Sequence, residues 1–149
     1  MSEDWGGDMK RPIKRISAET FSKYGGVLGE QGAAAGFEVF FDEDEKVGWR
    51  LAVSTFENTT IEKLARHPNT VESFSPLQGI SLLCVSNSEV PEEVAAFLLD
   101  RPIFLHKNIW HGTLALSEQA VLSICENSYV ESEEYELENP FEVSVTGGV

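Results

Sequence analysis

From Val47 to Glu126 the chain is a series of short apolar and β-branched runs bounded by turn residues, and this pattern restricts its fold most. Residues 47–56 alternate, with Trp49, Leu51, Val53 and Thr55 on one face, which is the period-two signature of a strand. Similar runs occupy 71–76, 80–85, 103–105, 109–116 and 120–126. The aromatic run 37–41 precedes a charged turn at 42–46, so it reads as the first arm of a hairpin with 47–56. Residues 57–66 fit a strand or a helical turn, and 141–145 fit a last strand. Helix signals occur in two places. Ser17 has an N-cap pattern, with Glu19 in the first turn and Phe21 and Tyr24 on one face before Gly25-Gly26. Pro91, Glu92 and Glu93 open a second candidate at 92–98, with Val94, Phe97 and Leu98 as its apolar face. Eight or so strands with two short helices predict an all-β domain, an antiparallel sandwich or small barrel with a polar cavity.

The length of 149 residues fits one domain, because a split would leave two pieces with small cores. Residues 1–12 read as a disordered tail and 13–149 as the single domain. With 25 acidic against 11 basic residues the formal charge is −14. Such a surface repels phosphate backbones and anionic lipid, which weighs against nucleic-acid and membrane partners. No apolar run approaches the roughly 20 residues that span a bilayer, and the start lacks the apolar stretch of a secretory signal. A cytoplasmic location is expected. Cys84 and Cys125 lie in separate apolar runs without a Cys-x-x-Cys pair, and read as buried reduced thiols in neighbouring strands. The acidic run 131–138 reads as a solvated face.

Chemistry is concentrated in few residues. The chain has three histidines, His67 in one segment and His106 and His111 in another. His67 at a strand end and Glu72 just across a tight turn can point into one cavity, and Gly79 allows the next reversal at positive φ. In 109–113, His111 and Thr113 face one way and Trp110 the other. For His106 to join them, Lys107-Asn108 must form a turn; otherwise His106 is a rim residue. Two imidazoles and one carboxylate suit nickel, zinc, iron or manganese. Without metal, a histidine acts as base with Glu72 orienting it. No organic cofactor is indicated. Arg50 lies opposite Trp49 and either points inward as an anion partner or outward as a strand charge; Arg66 and Lys107 are further anion candidates.

His67-x4-Glu72-x6-Gly79 resembles the first cupin motif, with Ala65 at its leading histidine position. His111 alone matches the second, with Asn108 where glycine is usual. A longer text is more specific: Ile16-Ser17-Ala18-Glu19-Thr20-Phe21-Ser22-Lys23-Tyr24-Gly25, then Leu64-Ala65-Arg66-His67-Pro68, then Glu72-Ser73-Phe74-Ser75-Pro76-Leu77-Gln78-Gly79, then Lys107-Asn108-Ile109-Trp110-His111. In this order and spacing the chain resembles the ureidoglycolate lyase family over most of residues 13–126. The resemblance implies a cupin-like antiparallel β-barrel (a double-stranded β-helix or jelly roll), usually a homodimer. It also implies cleavage of ureidoglycolate, a small hydroxy-acid, into glyoxylate and urea in purine and allantoin catabolism, with a divalent metal, nickel being associated with that activity. The family motif falls on His67, Glu72, Phe74 and His111. Two segments differ: the family reads Trp-His-His-Pro at Trp110-His111-Gly112-Thr113, and Asp-Arg at Cys125-Glu126. The alternatives are a non-catalytic cupin that binds a small hydroxy- or keto-acid or a sugar, and a cupin enzyme acting on another small polar substrate.

Overall fold

The computed structural model describes residues 12–29, 36–91 and 93–143. They form two facing sheets. In the six-stranded sheet the order is β1 (Ile13–Lys14), β7 (Ala95–Leu98), β6 (Ser81–Ser86), β9 (Trp110–Ala115), β4 (Thr60–Arg66) and β11 (Glu133–Glu142). In the five-stranded sheet it is β2 (Gly25–Val27), β8 (Ile103–Leu105), β5 (Glu72–Gln78), β10 (Ala120–Asn127) and β3 (Trp49–Phe56). The pairings are antiparallel except β1 with β7. The all-β expectation holds, but the sheets keep separate edges rather than closing into a barrel.

Side-chain alternation in β6 explains the layering. Leu83 and Val85 point between the sheets, where they meet Phe74 of β5, Phe97 of β7, Ile103 and Leu105 of β8 and Leu122 of β10. Leu82 and Cys84 point to the other face of the six-stranded sheet, into a second cluster with Ile61, Leu64, Trp110, Leu114 and Phe141. Tyr135 and Leu137 of β11 pack on that cluster. A strand buried on both faces must be apolar throughout, as residues 82–85 are.

Neither expected helix forms among the described residues. At Ser17 the cap bond is made, Thr20 N donating to Ser17 Oγ at 3.0 Å, but only successive turns follow. The chain must leave for β2, because a Cβ at Gly25 would lie 1.8 Å from the Phe104 carbonyl oxygen of β8. The second candidate becomes β7, with Ala96 and Phe97 on opposite clusters; its first residue, Glu92, lies outside the described residues. Residues 37–41 are not a strand, so the proposed hairpin is replaced by pairing of β3 with β10 along its whole length. Cys84 and Cys125 sit in different sheets, the first buried and the second half-buried, rather than in neighbouring strands. The acidic run belongs largely to β11, an edge strand, with its glutamates outward. Residues 57–66 resolve as β4. Residues 1–11 and 144–149, which include most of the expected tail and the end of the last expected strand, lie outside the described residues. No helix among the described residues is long and apolar enough to cross a membrane.

Candidate metal and active site

Three strand ends meet between the sheets. His67 follows directly on β4, the turn 67–71 reverses the chain, and Glu72 opens β5. His111 of β9 pairs with Ala65 of β4, which brings the second imidazole beside the first. The ring centroids are 5.0 Å apart. Glu72 Oε1 lies 3.0 Å from His111 Nε2 and 3.4 Å from His67 Nε2. All three side chains are nearly enclosed, 8% exposed for Glu72, 11% for His111 and 13% for His67. Phe74, two residues along β5, sets its ring edge against His111 at 5.8 Å. Thr70, Leu105, His106 and Ile109 complete the walls of a small cavity.

The ring protons reveal what the cavity is made for. His111 Nδ1 donates to the Ile109 carbonyl at 3.0 Å, and His67 Nδ1 donates to the Glu131 carbonyl at 3.0 Å. A carbonyl only accepts, so in a neutral ring the proton sits on Nδ1 and Nε2 carries a lone pair. Two lone pairs and a carboxylate oxygen then face one another without a donor among them. Glu72 Oε1 is correspondingly a buried oxygen with no hydrogen-bond partner, although His111 Nε2 is near. The contact becomes favourable when an imidazole takes a second proton or when a cation lies among the three atoms. These atoms lie within 4.8 Å of one another, and two nitrogens with one oxygen are a donor set that first-row divalent metals accept. The residues present therefore fit a divalent metal.

With no cation present, the local electrostatics favour the first of these two outcomes, a second proton on His111. Burial alone would raise the Glu72 carboxyl, but the bonded His111, a hydrogen bond with Glu126 and the charge of both imidazoles hold it down to about 2. Burial disfavours charge on His111, yet the Glu72 carboxylate and the Ile109 carbonyl push its pKa above the usual imidazole value. Glu126 of β10 is raised to about 7 by burial and by its bond to Glu72, against the pull of Arg50. Of the two neighbouring carboxyls, Glu126 is therefore the one that holds a proton more readily. Arg50 stands directly across β3 from Glu126 and gives it Nε at 2.8 Å and Nη2 at 2.5 Å.

Arg50 thus points inward, as one of its two readings required, and is spent on Glu126. His106 is exposed at the rim with its ring near Phe104, and the turn at Lys107-Asn108 forms, with Asn108 at φ 68°. Lys107 is drawn away to Glu43 at 3.4 Å. Arg66 stacks on Trp110 at 4.5 Å and bonds Glu133 and Glu89, so it serves the second cluster rather than the cavity. Gly112 lies on that same far side: a Cβ there would meet Ile61 and Leu64 at 3.2 Å, so the position where the family has a second histidine does not face His67 or Glu72. Glu126 is the neighbour that sequence reasoning missed. Its signal is a lone acid in phase with Leu122 and Ile124 on the inner face of β10.

The family model described as Ureidoglycolate lyase matches residues 9–144. No curated protein matches the chain. Among solved structures, a dTDP sugar isomerase from Desulfovibrio desulfuricans is 16% identical over 75% of this chain and 87% of its own, with a TM-score of 0.52. The dTDP-4-dehydrorhamnose 3,5-epimerase from Elizabethkingia anophelis is 21% identical over 54% of this chain and 50% of its own, with a TM-score of 0.45. Oxalate decarboxylase from Bacillus subtilis, studied for its Mn(II) centers, is 16% identical over 61% of this chain and 24% of its own, with a TM-score of 0.46. The chain spans about half the length of the dTDP-sugar epimerases it matches. The Desulfovibrio likeness is one of fold, a cupin-like pair of sheets. With its model running almost from end to end of the described strands, the chain belongs to the ureidoglycolate lyase family.

Proposed function

We propose that this protein splits ureidoglycolate into glyoxylate and urea, at the cavity formed by His67, Glu72 and His111. The observation that carries the reading is the convergence of two Nε2 lone pairs and an unpartnered carboxylate oxygen in a nearly closed site. The substrate carbon bears a hydroxyl, a carboxylate and a ureido nitrogen. Cleavage removes the hydroxyl proton, turns the C–O bond into a carbonyl, breaks C–N and returns a proton to the leaving nitrogen. His67, Glu72 and His111 would hold a divalent metal, which would supply Lewis acidity to lower the pKa of the substrate hydroxyl. The chain's own groups do the rest. Where no metal is held, one imidazole takes up the hydroxyl proton on its free Nε2 with Glu72 orienting the ring, and Phe74 and Ile109 border the site. Glu126, whose carboxyl is raised to about 7 beside Glu72, is the candidate proton source for the departing nitrogen, and Arg50, bonded to Glu126, is the candidate cation for a substrate carboxylate. His106 and Lys107 stand at the rim as substrate-binding candidates.

The reading also places the enzyme in cytoplasmic purine catabolism, as a homodimer. The outer face of β3, with Trp49 and Leu51 each 69% exposed and Val53 63% exposed, is an apolar sheet edge suited to a second copy. The test is direct. Purified protein incubated with ureidoglycolate releases glyoxylate, and protein purified without chelator carries close to one equivalent of nickel, zinc, iron or manganese. Tight binding of glyoxylate without turnover would replace the lyase by a binding protein. Less than a tenth of an equivalent of metal in active protein would assign the chemistry to the side chains alone.

A further inference from the structure

His67 owes its ring orientation to a part of the chain far away in sequence. Its Nδ1 donates to the Glu131 carbonyl at 3.0 Å and meets Ser132 Oγ at 2.9 Å, both in the connection from β10 to β11. That connection is tied in turn to Asn69, two residues beyond His67. Asn69 Nδ2 donates to the Tyr129 carbonyl at 2.8 Å, and Asn69 Oδ1 accepts from the Glu131 backbone N–H at 2.8 Å. Its own carbonyl accepts from Asn127 Nδ2 at 2.9 Å, and Thr70 Oγ1 accepts from the Asn127 backbone N–H at 2.9 Å. The bonds are reciprocal. The 67–70 turn holds the connection, and the connection holds the imidazole. His111 differs, since its Nδ1 is held by Ile109 of its own segment.

We infer that Asn69 and Ser132 are positioning residues that set the ring orientation and proton position of His67, so that its Nε2 lone pair faces Glu72. The inference rests on His67 belonging to the working site. Asn69 acts at one remove: it anchors Glu131, whose carbonyl accepts the Nδ1 proton, while Ser132 Oγ, 2.9 Å from the same nitrogen, is a second acceptor for that proton. Without them the ring is free to turn about χ2 and to carry its proton on Nε2, where it opposes a cation instead of receiving it.

The test uses the whole chain in metal-free form, at alkaline pH. Nitrogen NMR reports which ring nitrogen bears the proton. In the wild type His67 and His111 are both expected in the Nδ1–H form. In the N69A/S132A variant the His67 signals move toward a mixture of the two tautomers, while those of His111 stay in place. Titration with Mn2+ or Ni2+ is expected to show an affinity lower by about ten- to a hundred-fold, and Ser132→Thr, which keeps the hydroxyl, restores the wild-type His67 signals relative to Ser132→Ala. Should the double variant fail to fold, the Ser132→Ala and Ser132→Thr pair carries the comparison. A wild-type His67 protonated on Nε2, or a folded double variant with unchanged His67 signals, would overturn the inference. Wild-type protein that neither binds metal nor releases glyoxylate overturns the functional reading instead, and the tautomer result is read independently of it.

Discussion

His111→Ala lowers the rate of glyoxylate release by about a hundred- to ten-thousand-fold, the range that a lost proton-transfer group accounts for, and leaves the protein folded. The two halves of this expectation come from different contacts. On the functional side, His111 Nε2 is 3.0 Å from Glu72 Oε1, and its removal leaves that carboxylate one ligand atom short of the set that fits a metal. A loss of this size corresponds to about 3–5 kcal/mol in the barrier. On the stability side, the imidazole lines a cavity and touches the edge of Phe74, whereas its neighbours Trp110 and Leu114 fill the second cluster from the opposite face of β9. Alanine keeps the strand and its pairing with β6 and β4. Steady-state turnover and a thermal melt on the same preparation check both halves. A variant that melts far below the wild type would show that His111 is structural; one that keeps full turnover would remove it from the mechanism.

Where the side-chain period was two and one face was buried, the sequence was legible. The strands β3, β5, β8, β9 and β10 lie within a few residues of the runs that announce them. Alternation set His111 opposite Trp110 and Arg50 opposite Trp49, but left open whether either faced the cavity or the outer surface. It did not set register either. That Arg50 faces Glu126 depends on β3 pairing with β10, a contact across 76 positions that no local pattern encodes. The same holds for Lys107, captured by Glu43, and for the bonds from residues 127–132 to the His67 turn. The two helix errors have separate causes. At Ser17 the capping chemistry is real, but helix growth is weak in so short a segment, and Gly25 is needed for close approach to β8. In β7 both faces are buried, so apolar residues follow one another and mimic a helical stripe. In β11 the reverse occurs. Glutamates dominate the outward positions, and Tyr135 and Leu137 alone mark the face turned to the sheet.

The misread strand β7 also carries the residue on which the inter-sheet core most depends, and Phe97→Ala is expected to destabilise the protein by about 3–5 kcal/mol. Phe97 is fully buried. Phe21 meets it edge-on at 5.1 Å and Tyr24 at 5.7 Å, so this ring is one of the contacts that hold the turns of residues 18–24 to the sheet. Lys14 of β1 lies over its face at 5.9 Å. Alanine therefore removes more than a large buried surface. It leaves Phe21 and Tyr24 without their aromatic partner on the sheet, although the turns keep internal bonds such as Phe21 N to Ser17 O at 3.0 Å and Tyr24 N to Phe21 O at 2.9 Å. Against the ~5–15 kcal/mol that separates folded from unfolded domains, such a loss consumes a large share of the total. Phe97→Leu, which keeps most of the volume, is expected to cost much less, because the core then loses ring contacts without gaining a large cavity. Chemical denaturation of the three proteins decides the matter. Equal midpoints for Phe97→Ala and the wild type would mean that residues 18–24 are anchored elsewhere. Equal losses for alanine and leucine would mean that the edge-on ring geometry, rather than filled volume, holds the N-terminal turns in place.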